Sequence, residues 1–428
     1  MSSEQIGLSC LGILLVALIV RIPIALAMLL VGFFGFVGVT NMDAAIAMLK
    51  SIPTEVMANY EFSCIPMFIF MGVLASHSGM AKQLFIAARD IFGGWRGGMA
   101  LAAVSACGVF SAISGSSMAT ASTMSRVALP EMEKAGYNPG LAAGALAAGG
   151  TLGIMIPPSI ALLLYAIITE QSVGDMFMAG IIPGLAGLVF YIITIAVVVK
   201  IKPELAAGSD PTTWKEKFQA VLGLVPFGIV FLLIIGGIYG GIFTPTEAAA
   251  VGAFITLVYA VVQGMRSEGL ISAVKETLAL SAVIFFMLTG AQVFGYLVSA
   301  SRLSFSIFDF VMSLHMSSFG VMACIILMYF VLGCFMDSIA MLLLTVPVFF
   351  PVVQSMGIDP VWFGVVSVLT VELGLITPPV GMNVFVIQAM APHIAVNKIF
   401  RGVTPFILCD FIRLGALLAF PLMATALV

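Results

Sequence analysis

Long apolar runs separated by short polar breaks fill the chain. Spans lie near 6–20 and 22–40, with Arg21-Ile22-Pro23 between them, and near 62–76. An amphipathic stretch at about 78–95 holds Lys82, Arg89 and Arg96. A run from about 98 to 129 is interrupted by SGSS at 114–117, and another, 139–169, by Ile156-Pro157-Pro158; a last span covers 175–199. After a polar linker at 200–217 the order returns: 218–239, 245–265, 278–300, an amphipathic stretch 303–316, an interrupted run 319–350, a Pro-broken run 360–391 and a final span 402–427. Runs of roughly 20 apolar residues predict helices that cross a bilayer. The arms beside SGSS are shorter, about 12–16 residues or roughly 18–24 Å. They fall short of about 30 Å of hydrocarbon. Each interrupted run is therefore expected to be a re-entrant hairpin. Its non-helical tip must lie in protein or a wet cavity, because lipid cannot satisfy bare backbone groups.

The halves also match residue by residue. GTLGIMIPPS at Gly150–Ser159 reappears as ELGLITPPVG at Glu372–Gly381, and a shift of 221 positions aligns Ser117 to Pro158 on the second half without a gap. Ser117 falls on Ser338, Pro139 on Pro360, Gly153 on Gly374 and Pro157-Pro158 on Pro378-Pro379. The matches are mostly helix breakers, so the halves are expected to enclose one site between them. With hairpins uncounted, each half has five crossings, and an odd number inverts the second half. Placing the N-terminus outside puts all of the 17 Lys and Arg residues inside except Lys50, Arg302 and Arg413. That asymmetry follows the positive-inside rule. The hairpins then enter from opposite faces, with tips meeting near the midplane.

Composition narrows the class. The 428 residues are 61% hydrophobic and only 9% charged, against about a quarter charged in soluble proteins. The expected fold is an all-α polytopic membrane protein; a membrane β-barrel would show short alternating segments. A net charge of −3 indicates no nucleic-acid surface. The opening MSSEQ lacks a basic residue and a clear cleavage site, so it reads as a retained first helix. The six cysteines show no C-x-x-C and the three histidines are dispersed, which argues against a metal centre. No Walker motif is present.

Candidate chemistry sits at the breaks. The first tip, Ser114-Gly115-Ser116-Ser117, continues to Thr120 and Ser122; the second is Met336-Asp337-Ser338. Short polar side chains and bare carbonyls there suit a hard cation. Pro157, Pro158, Pro378 and Pro379 break the helical ladder. Carbonyls around Gly153–Ile156 and Gly374–Thr377 are thereby freed, while half-helix N-termini suit an anionic substrate. Asp337 lies in an apolar run, where an ionised group is costly unless paired or solvated; it is read as functional, with helix capping as the plainer role. Glu372 has a salt bridge or an interfacial position as its plainer role. Asn383 suits an ion, a substrate or a structural hydrogen bond. Arg302 is matched to a substrate carboxylate or to interfacial snorkelling. Glu247 reads as a helix cap beside Pro245.

GIFTPTEAAAVGA at 241–253, FMDSIAMLLLTVPVFFP at 335–351, GIDPVWFGV at 357–365 and LGLITPPVGMNVFV at 373–386 resemble the large membrane subunit of tripartite ATP-independent periplasmic (TRAP) transporters. SGSSMATAS and GTLGIMIPPS resemble the matching first-half segments. The resemblance covers essentially the whole chain. It implies a bacterial inner-membrane, sodium-driven secondary transporter of the unfused form. It implies as partners a small four-helix membrane subunit and a periplasmic binding protein that delivers an organic acid such as a C4-dicarboxylate or sialic acid. The transport domain is expected to move as an elevator, with scaffold at 1–60 and 218–277, transport elements at 61–199 and 278–428, and the cytoplasmic linker at 200–217. Sodium ligands are expected at Gly115, Ser116, Ser117, Gly153 and Ile156, and at Asp337, Ser338, Gly374 and Thr377. Substrate contacts are expected from Ser116, Thr120, Pro157, Arg302, Pro378 and Asn383. Arg302 departs from a more neutral family pattern. The competing readings are a binding-protein-independent sodium/carboxylate symporter, a passive channel, and an intramembrane serine hydrolase using Ser116 or Ser117. The hydrolase needs a nearby base, and His77, His315 and His393 lie near span ends or loops.

Overall fold

The computed structural model describes residues 2–20, 22–206, 208, 211–313 and 317–428; Arg21 and His315 lie outside the described residues. The first half contains α1 Ser3–Ile19, α2 Ile24–Val39, α3 Met42–Ala58, α4 Cys64–His77, α5 Met80–Ile91, α6 Gly98–Ser114, α7 Ser117–Lys134, α8 Pro139–Thr151, α9 Ile160–Ile168 and α10 Val173–Ile201. The second contains α11 Trp214–Tyr239, α12 Pro245–Val262, α13 Ser267–Ala300, α14 Leu303–Ser313, α15 Ser318–Gly333, α16 Ser338–Ser355, α17 Pro360–Gly374, α18 Met382–Met390 and α19 Val396–Ala419.

Local chemistry sets these boundaries. Asn138 and Asp359 cap α8 and α17, each followed by Pro at the first helical position, where its missing N–H costs nothing. Thr244 and Glu247 form a reciprocal capping box on α12, the role expected for Glu247. The α5 helix buries Met80, Leu84 and Phe85 and exposes Lys82 and Gln83, the pattern of an interfacial helix.

Two expectations shift. The segment between 41 and 61, where hydropathy predicts no span, folds as α3, which meets α4 at a 60° bend. Its Asp43, Lys50, Pro53 and Glu55 dilute the hydropathy, while Ala45, Met48, Ile52 and Val56 form its buried face. In the second half the corresponding stretch is one helix, the 34-residue α13. The hairpin arms are also longer than their apolar runs, at 17 and 18 residues for α6 and α7 and 16 and 18 for α15 and α16. They extend into polar ends such as Glu131, Glu133 and Lys134. At 1.5 Å per residue they reach roughly 24–27 Å. Among the described residues, six helices are long and apolar enough to cross a membrane, or seven if the bent pair counts, and one of the six is α16, a hairpin arm expected to be too short.

Packing exchanges elements between halves. Helix α2 packs on α13 and α12 on α4; α7 packs on α18 and α16 on α9; α8 packs on α19 and α17 on α10. Each pair is the image of the other under the 221-residue shift, a reciprocal exchange expected of a pseudo-two-fold arrangement. Glycines permit the closest approaches. A Cβ on Gly32 would meet the Phe294 backbone at 2.8 Å, one on Gly35 the Leu297 side chain at 2.6 Å, and one on Gly290 the Ala25 carbonyl at 2.5 Å. Contacts that ascend together mean that α2 and α13 run in the same direction. On the α8–α19 seam, Gly140 and Gly144 face Gly402 with backbones in contact, the small-residue packing of membrane helices.

Candidate functional site

Hairpin one turns over two residues, 115–116, and hairpin two over four, 334–337. Gly115 closes α6 with φ of +60°, and a Cβ there would lie 2.9 Å from the Pro158 carbonyl, so both conformation and space require glycine. Its carbonyl accepts from the Ile160 amide at 3.3 Å, which ties the tip to the first helix break. Ser116 caps α7. In the second hairpin Asp337 caps α16, its Oδ1 accepting from the Ile339 and Ala340 amides at 2.9 and 3.0 Å.

The two tips meet. Gly115–Met118 and Asp337–Ile339 line one cavity of about 30 Å³, closed by Ile154, Ile160, Ala161 and Leu375 from around the breaks. That volume suits a water-sized guest. Its side-chain oxygens belong to Ser116, Ser117, Ser338 and Asp337, a hard donor set. Three helices, α7, α9 and α16, begin at its wall. Their positive ends favour an anionic group, and Asp337 supplies one.

A second layer holds this arrangement. A Cβ on Gly153 would lie 2.6 Å from the Ser116 carbonyl, and one on Gly374 2.6 Å from the Gly333 backbone. Each broken helix thus presses on its own hairpin. The Asn383 amide nitrogen donates to Ser117 Oγ at 2.7 Å and to the Ala147 carbonyl at 3.1 Å. Start of α18, tip of hairpin one and α8 are joined through that one buried side chain.

Behind the breaks lies a wholly buried ionic cluster. Arg413 Nη2 stands 2.5 Å from Glu372 Oε2 and 3.4 Å from Asp410 Oδ1. Tyr191 donates to Asp410 Oδ2 at 2.6 Å, and Thr151 donates to Glu372 Oε1 at 2.9 Å. The guanidinium also lies over the Tyr191 ring, 5.8 Å from its centroid. A Cβ on Gly187 would collide with the guanidinium, so glycine there makes the room. Thus α17 and α19 are joined by ion pairs, and α8 and α10 are tied to them by the Thr151 and Tyr191 hydroxyls, near the Pro-Pro segments.

The family model for the tripartite ATP-independent periplasmic transporter, DctM component, matches residues 11–423. The chain belongs to this family. It is 34% identical over 377 residues to the C4-dicarboxylate TRAP transporter large permease protein DctM of Pseudomonas aeruginosa, covering 87% of each chain. It is 32% identical to the ectoine TRAP transporter large permease protein TeaC of Halomonas elongata, covering 96% of each. Its fold is that of the Alcanivorax borkumensis YdaH transporter, with a TM-score of 0.63 over 90% of each chain at 14% identity. A TRAP large permease is a transporter subunit, not an enzyme.

In this TRAP permease the predicted residues divide into groups. Gly115, Ser116, Ser117, Asp337 and Ser338 share the cavity. Gly153 and Gly374 stand behind it as close-approach positions. Thr120 is turned to Ser114 at 2.6 Å, and Thr377 Oγ1 donates to the Leu373 carbonyl at 2.6 Å. Ile156 and Pro157 are buried at the first break, whereas Pro378 is exposed at the second. Some freed carbonyls are re-engaged locally: Ile154 accepts from Ser159 Oγ and Leu375 from the Asn383 backbone N–H. Arg302 is exposed, with φ of +55°, at the α13–α14 junction and does not line the cavity. Asp337 caps its helix, the plainer of its expected roles. Glu372 takes the salt-bridge role.

Arg413 corrects the charge map. The positive-inside count puts it on the outer face, yet it is fully buried. A run of hydropathy records a charge but not its partner. The signal was available as Asp410-x-x-Arg413, an opposite-charge pair one helical turn apart within an apolar span.

Proposed function

We propose that this TRAP large permease imports an organic acid, driven by a sodium gradient, with a periplasmic binding protein delivering substrate and a small four-helix membrane subunit alongside. The observation that carries this reading is the meeting of two repeat-related hairpin tips at one cavity with serine and aspartate oxygens. Such a cavity suits a desolvated monovalent cation, and helix N-termini around it suit a substrate carboxylate. The P. aeruginosa relative is named for a C4-dicarboxylate and the H. elongata relative for ectoine. Ectoine also carries a carboxylate, so the shared chemistry favours an organic acid without selecting one.

Inverted halves fit the packing. The reciprocal pairings α2–α13 with α12–α4, α7–α18 with α16–α9 and α8–α19 with α17–α10 are those expected of two halves related by a pseudo-two-fold. With the N-terminus periplasmic, the hairpins enter from opposite faces of the inner membrane. Hairpins and broken helices, bound together through Asn383 and Arg413, move as one body against a scaffold of α1–α2 and α11–α12, an elevator.

The test is reconstitution of this chain with a small subunit in proteoliposomes, with and without a substrate-loaded binding protein. Uptake only when the binding protein is added is expected. Robust uptake without the binding protein would favour a binding-protein-independent symporter.

A further inference from the structure

A basic groove lies far from the hairpin tips, where α8 starts, α10 ends and α19 starts. It has a volume of about 500 Å³ and is lined by Lys202, Lys398 and Arg401 together with apolar residues that include Leu141, Ile201 and Pro405. Helices α10 and α19 are both long and apolar enough to cross a membrane. They run antiparallel: residues 198–205 of one end face 398–405 of the other in this groove, while Tyr191 meets Asp410 deeper in. The three cations therefore sit together at one membrane surface. Every ion pair among the described residues involves other side chains, which leaves all three unpaired there. An apolar ladder leads into the groove. Leu185, Val189, Ile193, Val197 and Ile201 repeat every fourth residue of α10, and each is about half exposed or more. They form a stripe roughly 24 Å long at 1.5 Å per residue.

We propose that this groove binds an anionic phospholipid, its phosphate held by Lys202, Lys398 and Arg401 and an acyl chain laid along the α10 ladder. Unpaired cations at a membrane surface attract acidic headgroups, and the apolar floor gives the chain a surface that a free anion would not use. A lipid seated there would brace the start of α8 against α10 and α19, the helices joined deeper in by the Arg413 cluster.

The test is native mass spectrometry of the purified membrane complex titrated with phosphatidylglycerol and with phosphatidylcholine. The wild type is expected to retain phosphatidylglycerol selectively. The variant carrying Lys202→Gln, Lys398→Gln and Arg401→Gln is expected to bind it about a hundredfold more weakly at low salt. A control carrying Lys82→Gln, Arg266→Gln and Lys275→Gln removes the same charge elsewhere and should retain binding. All six positions are surface side chains, and an unchanged thermal unfolding profile checks that each variant folds. Equal loss in both variants, or equal retention of phosphatidylcholine, would overturn the proposal. So would displacement of the lipid by millimolar inorganic phosphate, which would make this a free-anion site. Cross-linking of Ile201→Cys to the small subunit in the assembled complex would also overturn it, by giving the groove to a protein.

Discussion

Thr151 donates a hydrogen bond to Glu372 at 2.9 Å, and the two residues are counterparts, 221 positions apart, in the two halves of the chain. The bond brings the matching ends of α8 and α17 together just before both breaks, as expected where two repeat copies meet. The symmetry ends there: the counterparts of Asp410 and Arg413 are Val189 and Ile192. One half supplies the charge, and the other answers with a hydroxyl.

Removing Arg413 leaves two carboxylates buried without a cation. Arg413→Met should destabilise the protein by roughly 3–5 kcal/mol. The triple variant Glu372→Gln, Asp410→Asn, Arg413→Met should recover much of that loss, since no charge then stays uncompensated. Thermal unfolding in detergent measures both. An Arg413→Met protein as stable as wild type would remove the cluster from the account of how α17 and α19 are held.

Ser117 and Asn383 should be energetically coupled. Their hydrogen bond joins hairpin one to the second broken helix, so Ser117→Ala and Asn383→Ala together should cost less than the sum of the single changes, by about 0.5–3 kcal/mol. A double-mutant cycle on unfolding free energy checks this, and additive costs would mean that the contact does not link these elements.

Ser338 lines the cavity on the second tip. Ser338→Ala should fold normally and raise the half-saturating sodium concentration of transport about tenfold, the worth of one lost ligand near 1.4 kcal/mol. Identical sodium titrations would place the ion elsewhere.

Gly402 faces Gly140 with backbones touching. Gly402→Leu must push α19 from α8 and disturb the cluster beyond it. A loss of at least roughly 1–3 kcal/mol is expected, read as a lower unfolding temperature. Unchanged stability would show that the seam tolerates separation.

The readable parts of the fold were those that interrupt an apolar pattern. The SGSS tip, the Met336-Asp337-Ser338 tip and the repeated Pro-Pro segments stand out because lipid tolerates so few polar residues and helix breaks. Their 221-residue register foretold that the tips would share a cavity. Helix α3 was hidden because its buried face is only one stripe, diluted by Asp43, Lys50 and Glu55. The partner of Ser117 could not be read, since Asn383 lies 266 residues away and only packing brings it there. The burial of Arg413 is not legible in the hydropathy of the sequence, because a charge in an apolar run looks the same whether it reaches water or a buried carboxylate.

Asp337 separates capping from charge, and one measurement uses that difference. Asparagine caps a helix as well as aspartate, so Asp337→Asn should keep hairpin two folded while removing the carboxylate from the cavity. The decisive experiment is the initial rate of binding-protein-delivered uptake into proteoliposomes against external sodium, for wild type and Asp337→Asn. Wild-type uptake should require an inward sodium gradient, and the variant, equally stable, should need markedly more sodium for the same rate. Uptake indifferent to sodium, or the same sodium dependence in both proteins, would contradict a coupling-ion site between the two hairpin tips.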